Sequence, residues 1–160
     1  EMVLRGMTPQ LKNTMDFQLH QLSTSNLASI FNAAFMDADA PEDSTFCVVK
    51  GDSLHILVFP ENDNALIRFT NFTQLPNGLK KEDETTFLQV LNESLSYAKV
   101  FRYRNEKDDK DRSIIFEYEY PVFKGQSISS KTLVQLVRAF EKTVLDSARI
   151  YYQAFEPSRK

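Results

Sequence analysis

Absences set the first limits on this chain. It has no Trp, one Cys, two His and four Gly among 160 residues. The single Cys47 cannot close an intrachain disulfide. It sits in the apolar run Phe46-Cys47-Val48-Val49 with no His or basic residue directly beside it, which reads as a small buried hydrophobe rather than a reactive thiol. The glycines are scattered, so no glycine-rich loop is present to cradle a phosphate. His20 and His55 lie far apart, with no Cys or His at metal-ligand spacing from either. Asp108, Asp109 and Asp111 lack the Gly and the closing Glu of a calcium loop and read as a solvated hairpin tip. No metal and no cofactor is therefore expected. No apolar run is long enough to cross a membrane, and residues 1–10 lack the apolar segment of a signal peptide. The expected compartment is the cytoplasm, with no membrane partner. The formal net charge of −3 carries no basic excess, which argues against a nucleic-acid partner.

What the chain does have is Phe, in 13 copies, and one long amphipathic stretch. From Ser129 to Phe155, apolar residues fall at Leu133, Leu136, Val137, Phe140, Val144, Ala148 and Tyr151. Spacings of three and four place them on one stripe of a helix. Ser129 or Ser130 can cap its start, and Pro157 follows its end. A second stripe runs through Val134, Leu145 and Tyr152. These three are the candidate protein-binding residues. They predict a homodimer through the C-terminal helix, in which the helix meets its copy across a two-fold axis. The competing reading is that the first helix of the domain packs over them.

The rest of the chain reads as alternating short elements. Residues 1–20 are expected to be a loosely ordered lead-in, and 21–160 a single domain. The spacing predicts a helix over 25–37, with Leu27, Ile30, Phe31, Ala34 and Phe35 on its apolar face. Strands follow over 45–50, 53–59 and 65–72, the first two joined by a Gly51-Asp52 turn. His55, Leu57 and Phe59 alternate with Leu54, Ile56 and Val58, so the second strand should be covered on both faces. A helix is predicted over 83–97, then strands over 99–104 and 112–120. Pairing those two strands would set Arg102 and Arg104 opposite Glu117 and Glu119. Such arginines would hold the two carboxylates ionised, which suits surface pairing better than proton transfer. The expected fold is α+β, a two-layer α-β-β-β-α-β-β-α order with a mainly antiparallel five-stranded sheet.

Two phrases carry a family resemblance. Phe87-Leu88-Gln89-Val90-Leu91-Asn92-Glu93 is similar to the second helix of the YbjN family. Tyr120-Pro121-Val122-Phe123-Lys124-Gly125-Gln126-Ser127-Ile128-Ser129 resembles that family's passage from strand to closing helix, with Leu133, Leu136, Val137 and Phe140 following. The likeness extends from about Leu27 to Tyr152. It implies the type III secretion chaperone-like fold, a bacterial protein and a proposed regulator of sensory transduction. It implies no catalytic residue. Secretion chaperones of this fold are dimers that bind extended segments of other proteins.

With no constellation suited to catalysis, the expected function is a non-catalytic protein-binding module, chaperone-like or regulatory, and not an enzyme. Its partner is a protein that the sequence does not identify. The alternative is a small-ligand-sensing domain or weak enzyme with a pocket under the loops. Converging polar groups in such a pocket would favour the alternative, and an exposed apolar strip the first reading.

Overall fold

A computed structural model describes residues 14–104, 107–108 and 110–155. Strand β1 (Asp16–Phe17) and a short 3-10 turn precede helix α1 (Thr24–Ala33). Strands β2 (Asp37–Asp39), β3 (Cys47–Lys50), β4 (His55–Glu61) and β5 (Leu66–Gln74) follow. Helix α2 (Glu84–Ser94), strands β6 (Lys99–Arg102), β7 (Ser113–Pro121) and β8 (Ile128–Ser129), and helix α3 (Ser130–Phe155) complete the order. The fold is α+β. One sheet has six strands in the order β2-β3-β4-β5-β7-β6, and β1 pairs with β8 in a second.

The sheet has six strands rather than the expected five because the 37–43 segment, read as a helix break, contains β2. Asp37, Ala38 and Asp39 pair with Lys50, Val49 and Val48. Only Ala38 points inward, so three residues gave too little alternation to read.

The described chain divides into two compact units. The first runs to Arg68 and includes Glu119–Arg138. The second holds Phe69–Tyr118 and the residues from Ala139.

In the first unit, Ser23 caps α1 by accepting from the Asn26 amide at 3.0 Å. Leu27, Ala28 and Phe31 form its buried stripe, packed on β2 and β3. Cys47, Val49, Ile56 and Val58 are the sheet's contribution to that core. Lys50 pairs with His55 and the Gly51 amide donates to the Leu54 carbonyl at 2.8 Å, so the two-residue turn falls on residues 52–53, one position later than expected. The outer side of β4 is only partly covered from within the unit, with His55 exposed and Leu57 and Phe59 half-buried: the Arg68 guanidinium lies 4.5 Å from the Phe59 ring centre, and Phe46 packs on the same ring at 5.4 Å. Residues 14–20, assigned to the lead-in, are paired. Asp16 and Phe17 pair with Ser129 and Ile128, and Met15 exchanges two hydrogen bonds with Ser130. Ser129 caps α3, accepting from the Thr132 amide at 3.0 Å. Pro157 lies outside the described residues.

The second unit is built on aromatic rings. Phe69 packs against Tyr118 and Phe140, and Phe87 meets Tyr151 and Phe155 edge-on at 5.8 and 5.4 Å. Fully burying such a side chain contributes roughly 1.5–3 kcal/mol. The predicted stripe of α3 is buried at Leu133, Leu136, Val137, Phe140, Val144 and Tyr151, while Ala148 is exposed and Thr143 and Ile150 take the inward places near it.

The expected Arg–Glu ladder does not form. Arg102 stands opposite Ile114, and Glu117 opposite Lys99. Val100, not Phe101, turns inward, which shifts Arg102 to the core side of β6. There Arg102 and Arg112 reach Glu84, in the first turn of α2, at 3.9 and 3.2 Å. A carboxylate at a helix N-terminus is favourable in its own right.

Each edge of the six-stranded sheet carries the same device. Near the end of α1, the Asn32 side chain accepts from the Ala38 amide and donates to the Ala38 carbonyl, both at 2.9 Å. Near the end of α2, Asn92 accepts from the Val100 amide at 2.7 Å and donates to its carbonyl at 2.8 Å. Ala38 lies on β2 and Val100 on β6, the two edge strands.

Two outcomes follow from these placements. Asn92→Asp keeps the acceptor but sets an anion against the Val100 carbonyl at a helix C-terminus, and should cost about 1–2 kcal/mol at neutral pH. Protonating that carboxyl restores a donor, so the deficit should shrink in acid. Denaturant unfolding of both proteins across pH would show it; a deficit that does not change with pH would refute the paired geometry. The second concerns Cys47, whose thiol is pushed up from 9.0 to about 11 by burial, with the Asp39 charge adding to it. The folded state thus holds this proton after the unfolded chain has released it. Stability from this source is intact below pH 9 and falls toward pH 11. A Cys47→Ala variant should lack that part of the alkaline decline, and the native thiol should resist alkylation at pH 8.

Candidate protein-binding surfaces

The first surface begins with how α1 stops. No Gly or Asn follows Ala34, so another residue must take the left-handed position that closes the helix. That residue is Phe35, at φ +63°. Its amide donates to the Asn32 carbonyl and the Met36 amide to the Phe31 carbonyl, both at 3.0 Å. This is the paired closure in which glycine is the usual occupant. The left-handed conformation costs a non-glycine residue about 1–2 kcal/mol. It also throws the ring out of the helix's buried stripe. Phe35 is 100% exposed, where the sequence reading placed it on the apolar face of α1.

Beside that ring runs a groove of about 500 Å³ within the first unit. Ile30, Ala33 and Ala34 form one wall, and Lys131, Val134 and Arg138 of α3 the other. Thr14 closes one end. No acidic side chain lines it. Asp37, close by in sequence, stands opposite Lys50 in the β2–β3 pair.

The three candidate residues on α3 have different surroundings. Val134 is half-buried in this groove of the first unit. Leu145 and Tyr152 belong to the second unit, 49% and 45% exposed, with Tyr152 resting edge-on against Tyr151 at 5.4 Å. Sequence reasoning missed Phe35, Lys131 and Arg138. The available signal was the missing glycine after α1.

Two further features frame the choice of function. In the second unit, Phe72 and Tyr103 meet edge-on at 5.9 Å and are both exposed, as is Phe101 opposite Ile115. In the first unit, a pocket of about 280 Å³ lies under the loop after β7, where Gln18, His20, Asn62, Lys124 and Gln126 converge. Gly125, at φ +85°, makes the turn in that loop. Among the described residues, no three His, Cys, Asp or Glu side chains gather as a metal site would need. No helix of the described chain is long and apolar enough to cross a membrane.

No family model matches the sequence, and no curated protein does. The fold has a solved counterpart. The crystal structure of YbjN from E. coli, described as a candidate transcription regulator, superposes with a TM-score of 0.62 at 13% identity. The match covers 82% of this chain and 93% of that one. Identity this low speaks for the fold alone.

The exposure of Leu145 and Tyr152 makes self-association through them directly testable. Leu145→Glu with Tyr152→Glu should leave a folded protein, since neither side chain is in the core. If α3 joins two copies, sedimentation should show wild-type dimers and monomers of the double variant. A wild type that sediments as a monomer at micromolar concentration would end the dimer reading.

Proposed function

We propose that this chain is a non-catalytic protein-binding module of chaperone-like or regulatory type. The observation that carries the reading is Phe35, a fully exposed ring on a left-handed residue beside a groove of mixed apolar and cationic lining. Backbone strain of this kind persists where surrounding structure holds it, and it clusters at functional sites. The ring gains no burial among the described residues, which leaves its contact surface for another molecule. The YbjN-like fold, in a protein described as a candidate regulator, supports the same class of role. Capped sheet edges at Ala38 and Val100 favour binding through side chains over addition of a strand.

The converging polar groups at Gln18, His20, Asn62, Lys124 and Gln126 support a second reading, a small-ligand-sensing domain. At about 280 Å³ the pocket is at or below the usual size for a small-molecule site. That ranks it behind the groove.

The deciding experiment compares wild-type and Phe35→Gly baits. Glycine relieves the left-handed strain but loosens the unfolded chain, by terms of similar size. Stability should therefore be unchanged or raised by up to about 1 kcal/mol. Proteins captured by the wild type, identified by mass spectrometry, should be lost from the variant. Identical capture by both baits would refute the role assigned to this surface.

A further inference from the structure

Resting on that reading, we propose that the α1–α3 groove takes an acidic segment of a partner protein, anchored by apolar side chains against Phe35 and Val134. Two cations stand around the groove's apolar side chains. Lys131 and Arg138 are seven residues apart on α3, two helical turns, and so flank Val134 on the same face. Both are exposed, and both line the groove. The protein as a whole is acidic, at −3, so a groove with two cations and no anion departs from its background. A carboxylate-bearing segment gains from both cations, whereas a basic one meets like charge at each end of its apolar anchor. Ile30, Ala33 and Ala34 supply a shallow wall of small and branched groups, with Phe35 standing at its edge. That shape suits one or two apolar side chains at helical or extended spacing rather than a flat surface.

Two other occupants are less well matched. Residues 1–13 lead to Thr14 at the groove's end, but they carry Arg5 and Lys12 against Glu1. Their net charge has the groove's own sign. A second copy of the chain would bring the same Lys131 and Arg138 toward the first across a two-fold axis, unless an acidic region elsewhere were the contact.

The test uses the full chain as bait for a phage-displayed library of random twelve-residue peptides. Selected peptides should carry Asp or Glu around an aromatic or aliphatic pair. The best of them, synthesised with a fluorescent label, should bind with an affinity that falls as salt is raised. Phe35→Gly should weaken it roughly tenfold, as loss of an interface aromatic does. Lys131→Glu with Arg138→Glu should invert the preference, so that the same peptide with Lys in place of its acids binds better. That inversion is a readout that simple misfolding does not produce. If Phe35→Gly abolishes binding but charge reversal leaves the preference unchanged, docking at the groove stands and the acidic occupant is refuted. If neither substitution affects the selected peptides, both readings fall. Peptide binding that appears only after removal of residues 1–13 would assign the groove to the chain's own N-terminus instead. A dimer in sedimentation that Phe35→Gly converts to a monomer would assign it to a second copy, and either result overturns the proposal.

Discussion

An amide side chain is the one side chain that can imitate a strand. It offers a donor and an acceptor at nearly the spacing of a peptide group. Asn32 and Asn92 use this at the two edges of the sheet, each answering the amide and the carbonyl of a single edge residue. Three consequences follow from this constraint. The edge backbone at Ala38 and Val100 is satisfied without water. Each helix is held at a fixed height relative to the strand that follows it. The edge is closed at that point to another strand, which limits edge-to-edge aggregation. The two devices lie in different compact units, joined to their strands by connections of unequal length. The shared element is the chemistry, which is why no repeat is visible along the sequence.

Closing the edges moves the question of function onto the helices. Helix α3 commits Leu133, Val137 and Phe140 to core, and its first turn is pinned by Ser129 and by the exchange between Ser130 and Met15. A helix fixed at its start presents Lys131, Val134 and Arg138 on a rigid surface. With the backbone already fixed, binding there has only side-chain freedom to lose, which favours recognition over induced rearrangement. The opposite wall, at the end of α1, is just as constrained, because its last carbonyls are tied by the Phe35 and Met36 amides.

Periodicity made the helices and the longer strands legible. Leu27 and Phe31, Phe87 and Leu91, and the α3 stripe all repeat at helical spacing and are buried. Alternation likewise showed which face of β7 is inward, with Ile114 and Phe116 buried. It failed on β6, where four residues offer Val100 and Phe101 as equal candidates for the core. Hydrophobicity favoured the ring, but the inward place went to Val, and Arg102 followed it round to Glu84. Strand β2 was invisible because its stability comes from pairing with β3 and from Asn32, neither of which is local in sequence. The candidate surface was half legible. Val134 was readable from the second stripe of α3. Phe35 was not, because the residue that must go left-handed is known only once the helix end is known, and that end lies earlier than periodicity placed it.

The case for a binding surface finally rests on magnitudes. A Phe in the left-handed region costs about 1–2 kcal/mol. The same ring left in water forgoes the roughly 1.5–3 kcal/mol that burial would return. Against a total stability of about 5–15 kcal/mol for a typical domain the strain is a noticeable fraction, while the exposed ring, wet in the unfolded chain as well, adds no further cost. Glycine would close the same helix with no strain and no exposed ring, at the cost of a looser unfolded chain. Nothing among the described residues covers the exposed phenylalanine, which supports the proposed contact outside them. The charge around it narrows that contact further, because Lys131 and Arg138 have no acid among the residues that line the groove with them. Strain and exposed ring share one cause, the left-handed Phe35, and the charge is a separate feature; the proposed acidic, apolar-anchored partner would answer both.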